Sequence, residues 1–206
     1  INNQKVETPL FMPVGTYGAV KTLSPTDISS IGYNLILANT YHMFLRPGVE
    51  VLKQSNGLHN FMNWDRLILT DSGGFQIYSL RGLRKIEDDG ATFQSHLSGD
   101  KYKLTPENVV DIQRAIGSDI MMMLDVCPSG DETLKKWEEA VGLTSKWAKQ
   151  AMHYFNNSDG IYDKEQLLVP IVQGGTNKEL RERSADDLLK LEASMYAIGG
   201  LAVGEP

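Results

Sequence analysis

An α/β fold built on a parallel sheet is what this sequence predicts, and three observations predict it. Short apolar runs rich in Leu, Ile, Val and Met recur along the chain, and segments with helix punctuation separate them. The runs are near-continuously apolar rather than alternating, as expected of strands covered on both faces. With 206 residues and 41% apolar content, the chain has enough material for one core and lies within the size of a single domain.

The six candidate strands are 10–14 (LFMPV), 35–38 (LILA), 67–70 (LILT), 120–124 (IMMML), 167–172 (LLVPIV) and 195–198 (MYAI). Ahead of the second run, Ser24 is placed to cap a helix, with Pro25 at its first position and Gly32 just past its end. A hydroxyl there satisfies an open N–H, Pro at the first position loses no hydrogen bond, and Gly tolerates the left-handed exit. Thr105, Pro106 and Glu107 open another helix that Gly117 closes. Between 77 and 105 the turn signals Asp88-Asp89-Gly90 and Ser98-Gly99-Asp100 separate short strand-like runs and predict a β-hairpin insertion. The longest helix is expected from about 132 to 155, with Trp137, Val141, Trp147, Ala148 and Ala151 as its apolar stripe, and Asn177 caps a helix reaching about Leu191.

Two architectures fit such βα units, an open doubly wound sheet and a (β/α)8 TIM barrel. The first usually carries a Gly-x-Gly-x-x-Gly turn after its opening strand, and Val14-Gly15-Thr16-Tyr17-Gly18-Ala19 is not one. The barrel is favoured. Six strands leave an eight-stranded barrel incomplete, so 1–206 is expected to be a single partial TIM-barrel domain of about six βα units, with roughly two more beyond Pro206.

A net charge of −6 and a pI near 5.2 exclude a global basic field for nucleic acid but leave a local site open. The basic run from Arg81 to Lys85 reads as a solvated hairpin, with RNA contact as the alternative. Cys127 is the only cysteine, so no disulfide framework or Cys-x-x-Cys pair exists, which fits a reducing, cytoplasmic setting. No apolar stretch approaches the ~20 residues that span a bilayer, and the first residues lack a signal-peptide profile. His59, His96 and His153 read as surface or packing residues, since no His-x-x-x-His spacing is present.

In a barrel enzyme the working residues sit at the C-terminal ends of the strands. Here those ends carry Asn39, Asp71-Ser72-Gly73-Gly74, Asp125-Val126-Cys127, Gln173-Gly174-Gly175 and Gly199-Gly200. Taken singly, an Asp after a strand is a helix cap and a Gly pair is a turn. Placed at successive strand ends they would face one pocket. Carboxylate, amide and backbone N–H groups beside an aromatic ring suit a planar base such as guanine, and Asp125, Gln173, Gly200 and Phe75 supply these parts.

Four segments, in order and in register, resemble the tRNA-guanine transglycosylases. They are Leu69-Thr70-Asp71-Ser72-Gly73-Gly74-Phe75-Gln76; Asn39-Thr40-Tyr41-His42 with Arg46-Pro47-Gly48; Pro170-Ile171-Val172-Gln173-Gly174-Gly175; and Ala197-Ile198-Gly199-Gly200-Leu201-Ala202-Val203-Gly204-Glu205-Pro206. The resemblance implies exchange of guanine in a tRNA anticodon loop for a deazaguanine through a covalent ribosyl-enzyme intermediate. It implies that Asp71 handles protons, that Ser72 to Phe75 form a substrate-binding loop with Phe75 stacking on the base, and that Asp125 reads the base's N–H edge. Gln173 and Gly200 would meet its carbonyl oxygen, with Gly199 beside them. Leu201 would offer its carbonyl to the aminomethyl arm of preQ1 with Glu205 behind it, and Asn39 would reach the ribose. Cys127 is most simply a small buried hydrophobe; the resemblance adds that bacterial members carry a Cys here that shapes the pocket for preQ1. A homodimer is also implied. So is a zinc ion, but the family's Cys/Cys/Cys/His ligands and its nucleophilic aspartate lie later than these residues. Two alternatives are a non-catalytic tRNA-binding partner subunit and an unrelated phosphate-binding barrel.

Overall fold

The computed structural model describes residues 1–80 and 82–204. After an extended start come α1 (Pro25–Ile31), β1 (Leu35–Ala38), α2 (Thr40–Leu45), α3 (Val49–Gln54), α4 (Leu58–Met62), β2 (Leu67–Thr70) and α5 (Gly74–Ser79). Next are β3 (Arg84–Glu87), β4 (Gly90–Gln94), β5 (Lys101–Leu104), α6 (Pro106–Ile116), β6 (Ile120–Met122) and α7 (Leu134–Asn156). The chain continues with β7 (Leu167–Val169), β8 (Ile171–Val172), α8 (Lys178–Leu189) and β9 (Ala197–Ile198).

The fold is mixed α/β around a parallel sheet. Strands β1, β2, β6 and β7 pair in that order, all parallel, and β8 pairs β9 in parallel. The continuous apolar runs find the burial they call for: every residue of β2 is buried, with Ile36 and Ile68 wholly enclosed. Cap chemistry sets the helices between them. Ser24 Oγ accepts from Asp27 N and Thr105 Oγ1 from Asn108 N, each inside a reciprocal capping box, and Gly32 and Gly117 leave in the left-handed region.

Three expectations need correction, two of them because of proline. The run 10–14 forms no strand; a single parallel bridge joins Val14 to Leu37. Pro13 has no N–H to give the ladder, although its carbonyl accepts from Leu37 N at 2.9 Å. The run 167–172 divides at Pro170: residues before it pair with β6 and residues after it with β9. The interval after α5 is a three-stranded antiparallel sheet, β3-β4-β5, and not a simple hairpin. The 101–104 run, with its buried Leu104, completes the third strand. Helix α7 begins at Leu134 because Thr133 caps it, and Trp137, Val141, Trp147, Ala148 and Ala151 are buried as the stripe predicts. No helix among the described residues is long and apolar enough to cross a membrane.

Candidate functional site

Two aspartates at the C-terminal ends of neighbouring strands sit in different surroundings. Asp71 directly follows β2, where its N–H donates to Ala38 O. Its carboxylate accepts from Thr40 N at 2.9 Å, Gly73 N at 3.2 Å and Gln76 Nε2 at 3.0 Å, and from Asn39 Nδ2 in a short contact. Thr40 opens α2 and Gly73 caps α5, so the open N–H groups of two helix starts converge on one carboxyl. Asn39 makes no cap bond for its own helix; its side chain serves Asp71 instead. Burial nevertheless pushes the Asp71 pKa up to about 6, with the donors from Asn39, Thr40, Gly73 and Gln76 restraining the rise. A carboxyl poised there can give and take a proton near neutrality.

Asp125 lies past β6 and is held chiefly by two side chains, with its own backbone N–H as a lesser donor. Ser72 Oγ donates to its Oδ1 at 2.7 Å and Gln173 Nε2 to its Oδ2 at 2.6 Å. Burial raises its pKa, opposed by those two donors and by its own backbone N–H. Gln173 directly follows β8, and its Oε1 is buried with no hydrogen-bond partner. That amide is half satisfied, which marks it as a group awaiting another contact.

Glycine allows these loops to meet. A Cβ at Gly74 would lie 2.7 Å from Asp125 O and 2.9 Å from its Oδ1. Gly200 has φ +68° and its Cβ would run into Gln173 Oε1, so only glycine brings this backbone against the amide. The structure thus joins Asn39, Asp71, Ser72, Gly73, Gly74, Asp125, Gln173, Gly199 and Gly200 in one region. Phe75, in the first turn of α5, keeps 55% of its surface exposed and Leu201 keeps 47%, whereas Cys127 is buried. Glu205 lies outside the described residues, as do Arg81 and Pro206.

The sequence marks neither Thr40 nor Gln76 as a site residue, and Trp137 only as part of a helix's apolar stripe. Two of them donate to Asp71, and the Trp137 ring backs the site, 3.0 Å from where a Gly175 Cβ would stand. Their signal was proximity: Thr40 adjoins Asn39, and Gln76 stands in the first turn of the helix that follows Asp71. The hairpin cations are engaged locally, Lys85 with Glu87 at 2.7 Å and Arg84 over the Tyr78 ring at 3.7 Å. His96 Nδ1 bonds Tyr41 Oη at 2.8 Å, and His153 bonds Asn157, as packing residues would.

A cavity of about 610 Å³ lies at the opposite, N-terminal ends of the strands, lined by Asn2, His59, Asp119 and Lys164 among others. It is distant from the chemistry above, and its charges satisfy one another. Asp119 accepts from Asn2 Nδ2 at 2.8 Å, Lys164 Nζ at 3.1 Å and Ile68 N at 2.7 Å, and pairs with His59 Nε2 at 3.0 Å. Burial disfavours its charge, but His59, Lys164 and Ile68 outweigh that and hold its pKa below the ordinary value. Its stabilisation is therefore present above the unfolded pKa and lost as pH falls through the folded one. Replacing Asp119 with Ala should cost about 3 kcal/mol in denaturant unfolding, since it leaves the half-buried Lys164 ammonium, the His59 ring and the buried Ile68 N–H without their shared acceptor. Among the described residues no group of three or more His, Cys, Asp or Glu could hold a metal ion.

A family model described as queuine tRNA-ribosyltransferase matches residues 1–206. The chain is 52% identical to a queuine tRNA-ribosyltransferase of Leptospira biflexa over 207 residues, covering all of this chain and 54% of the relative. It is 51% identical to that of Bacillus subtilis over 200 residues (97% of the chain, 51% of the relative). With that of Dictyoglomus turgidum it shares 48% over 202 residues (98% and 51%). The chain spans about half the length of these curated relatives.

Proposed function

The chain belongs to the queuine tRNA-ribosyltransferase family, and from that premise we propose that its strand-end cluster is the base pocket of an enzyme exchanging guanine in a tRNA anticodon loop for a deazaguanine. The observation that carries the reading is the contrast between two neighbouring carboxyls. Asp71 is gripped by backbone and side-chain donors while burial lifts its pKa to about 6, and Asp125 is held chiefly by two side chains that a ligand can displace.

Guanine offers two N–H groups beside a carbonyl oxygen. Asp125 takes the N–H edge, releasing Gln173, whose amide then turns to the carbonyl oxygen together with Gly200 N–H. Phe75 supplies a face for stacking, and bases in a single-stranded loop reach such a pocket without breaking a duplex. Leu201 and Glu205 fall to the side chain of the incoming base, Asn39 to the ribose, and Cys127 to the pocket wall, in keeping with preQ1 as that base. As an enzyme nucleophile outside the described residues bonds to ribose C1′, the C1′–N9 bond breaks, its electron pair goes to guanine N9, and protonated Asp71 gives that base a proton; the new base then attacks C1′, displaces the nucleophile and returns a proton to the Asp71 carboxylate. No aspartate described here is assigned as the nucleophile.

The parallel sheet suits a TIM barrel to which these residues contribute about six units as one domain. Homodimer formation and a cytoplasmic location belong to the same reading. The described residues do not fit a zinc site, so the zinc the family resemblance implies is assigned to ligands outside them.

Two results are expected. The full-length protein should incorporate labelled guanine into tRNA; binding of tRNA without exchange would instead mark a non-catalytic partner subunit. The pH profile of exchange should fall above about 6, where Asp71 loses the proton it gives to the departing base. A profile flat through that range removes Asp71 from the role.

A further inference from the structure

We infer that Arg181 is a positioning residue for the base pocket, a staple that aims the Gly200 N–H; the inference rests on the proposed function. Arg181 lies in the first turn of α8, and its Nη1 donates to Gly175 O at 3.1 Å and to Gly199 O at 3.0 Å. These carbonyls belong to the loops that follow β8 and β9. The two strands share only two paired positions, Ile171 with Ala197 and Val172 with Ile198, and the ladder closes with Gly199 N donating to Val172 O at 3.0 Å. Arg181 bridges the loops beyond that point.

The consequence follows from peptide planarity. Gly199 C=O and Gly200 N–H belong to one peptide unit and point in opposite directions in a trans plane. Holding the carbonyl on Arg181 therefore fixes the N–H on the far side. The restraint matters because this unit joins two glycines, between which a peptide can turn over at little steric cost.

Helix α8 is itself anchored to the site. Asn177 Oδ1 caps it by accepting from Leu180 N at 2.9 Å, and the buried Ser184 Oγ accepts from Gln173 N at 3.0 Å. A Cβ at Gly174 would stand 2.8 Å from Arg181 N, so the loop lies directly on the first turn. Asn177, Arg181 and Ser184 share one helix face at i, i+4 and i+7. That face ties both donors proposed for the base carbonyl, Gln173 and Gly200, to a single rigid element.

The test uses the full-length enzyme with Arg181→Ala and Arg181→Met, the latter keeping an apolar stem should the former fold poorly. Labelled-guanine exchange into tRNA should show the KM for guanine raised about tenfold or more, with the KM for tRNA within about twofold of the parent. Amide hydrogen exchange should be about tenfold faster at 174–176 and 199–201. A guanine KM within about twofold of the parent overturns the inference, as does an equal rise in both KM values. If the parent itself exchanges no guanine, the proposed function falls, and the amides alone judge the staple: unchanged exchange at 199–201 overturns it.

Discussion

Replacing Asp71 with Asn in the full-length protein should lower guanine exchange by about 10²–10⁴-fold, the scale of a lost general acid/base, while cooperative unfolding is retained. Asn preserves the shape and one acceptor oxygen for the donors that surround the site, so the loss should fall on chemistry. The linkage sign gives a second readout. The Asp71 pKa is raised in the folded state to about 6, so its contribution to stability is full below the unfolded value of about 3.9 and declines as pH rises through 6. The parent should lose stability across that window relative to Asp71→Asn, and the fall of activity above about 6 should vanish with the carboxyl. An Asp71→Asn protein that exchanges guanine at the parental rate, or that fails to fold, contradicts the assignment and leaves Asp71 as a cap for two helices.

The second large effect is expected at Asp125. Its carboxylate would accept two N–H groups of the base, and hydrogen bonds to a charged acceptor contribute about 1.5–3 kcal/mol each. Asp125→Asn replaces one acceptor by a donor facing a donor, so the KM for guanine should rise by about 10²-fold or more. Thermal unfolding should move little by comparison, because Ser72 can turn its hydroxyl and the burial that raises the Asp125 pKa no longer opposes a charge. Measuring the KM for base beside the melting temperature separates the two roles. A large drop in melting temperature with an unchanged KM would make Asp125 a structural residue.

Much of the frame was legible because local chemistry and tertiary packing agree. The four-residue runs at β1 and β2 are apolar but for Thr70 and are buried but for the half-buried Leu37, as a parallel sheet requires. The caps at Ser24, Thr105 and Asn177 stand where the spacing put them. Two of the three misreadings share a cause: at residues 10–14 and 167–172 hydrophobicity is present, but Pro13 and Pro170 remove ladder donors. The strand-end residues could be named from position alone, whereas their partners could not. That Asp71 draws on Thr40 N and Gln76, or that Gln173 turns to Asp125 and leaves Oε1 bare, depends on how separate βα loops meet. Arg181 was invisible for the same reason, since its acceptors are backbone carbonyls that any sequence could provide.

The most direct measurement of the central claim is a crystal structure of the full-length protein with guanine. The base should lie on Asp125 with its N–H edge, the Gln173 amide should have left the 2.6 Å bond to Asp125 Oδ2 for the base carbonyl oxygen, and Gly200 N–H should point at that same oxygen. Guanine seated elsewhere, with the Ser72–Asp125–Gln173 chain of hydrogen bonds intact, would contradict the account.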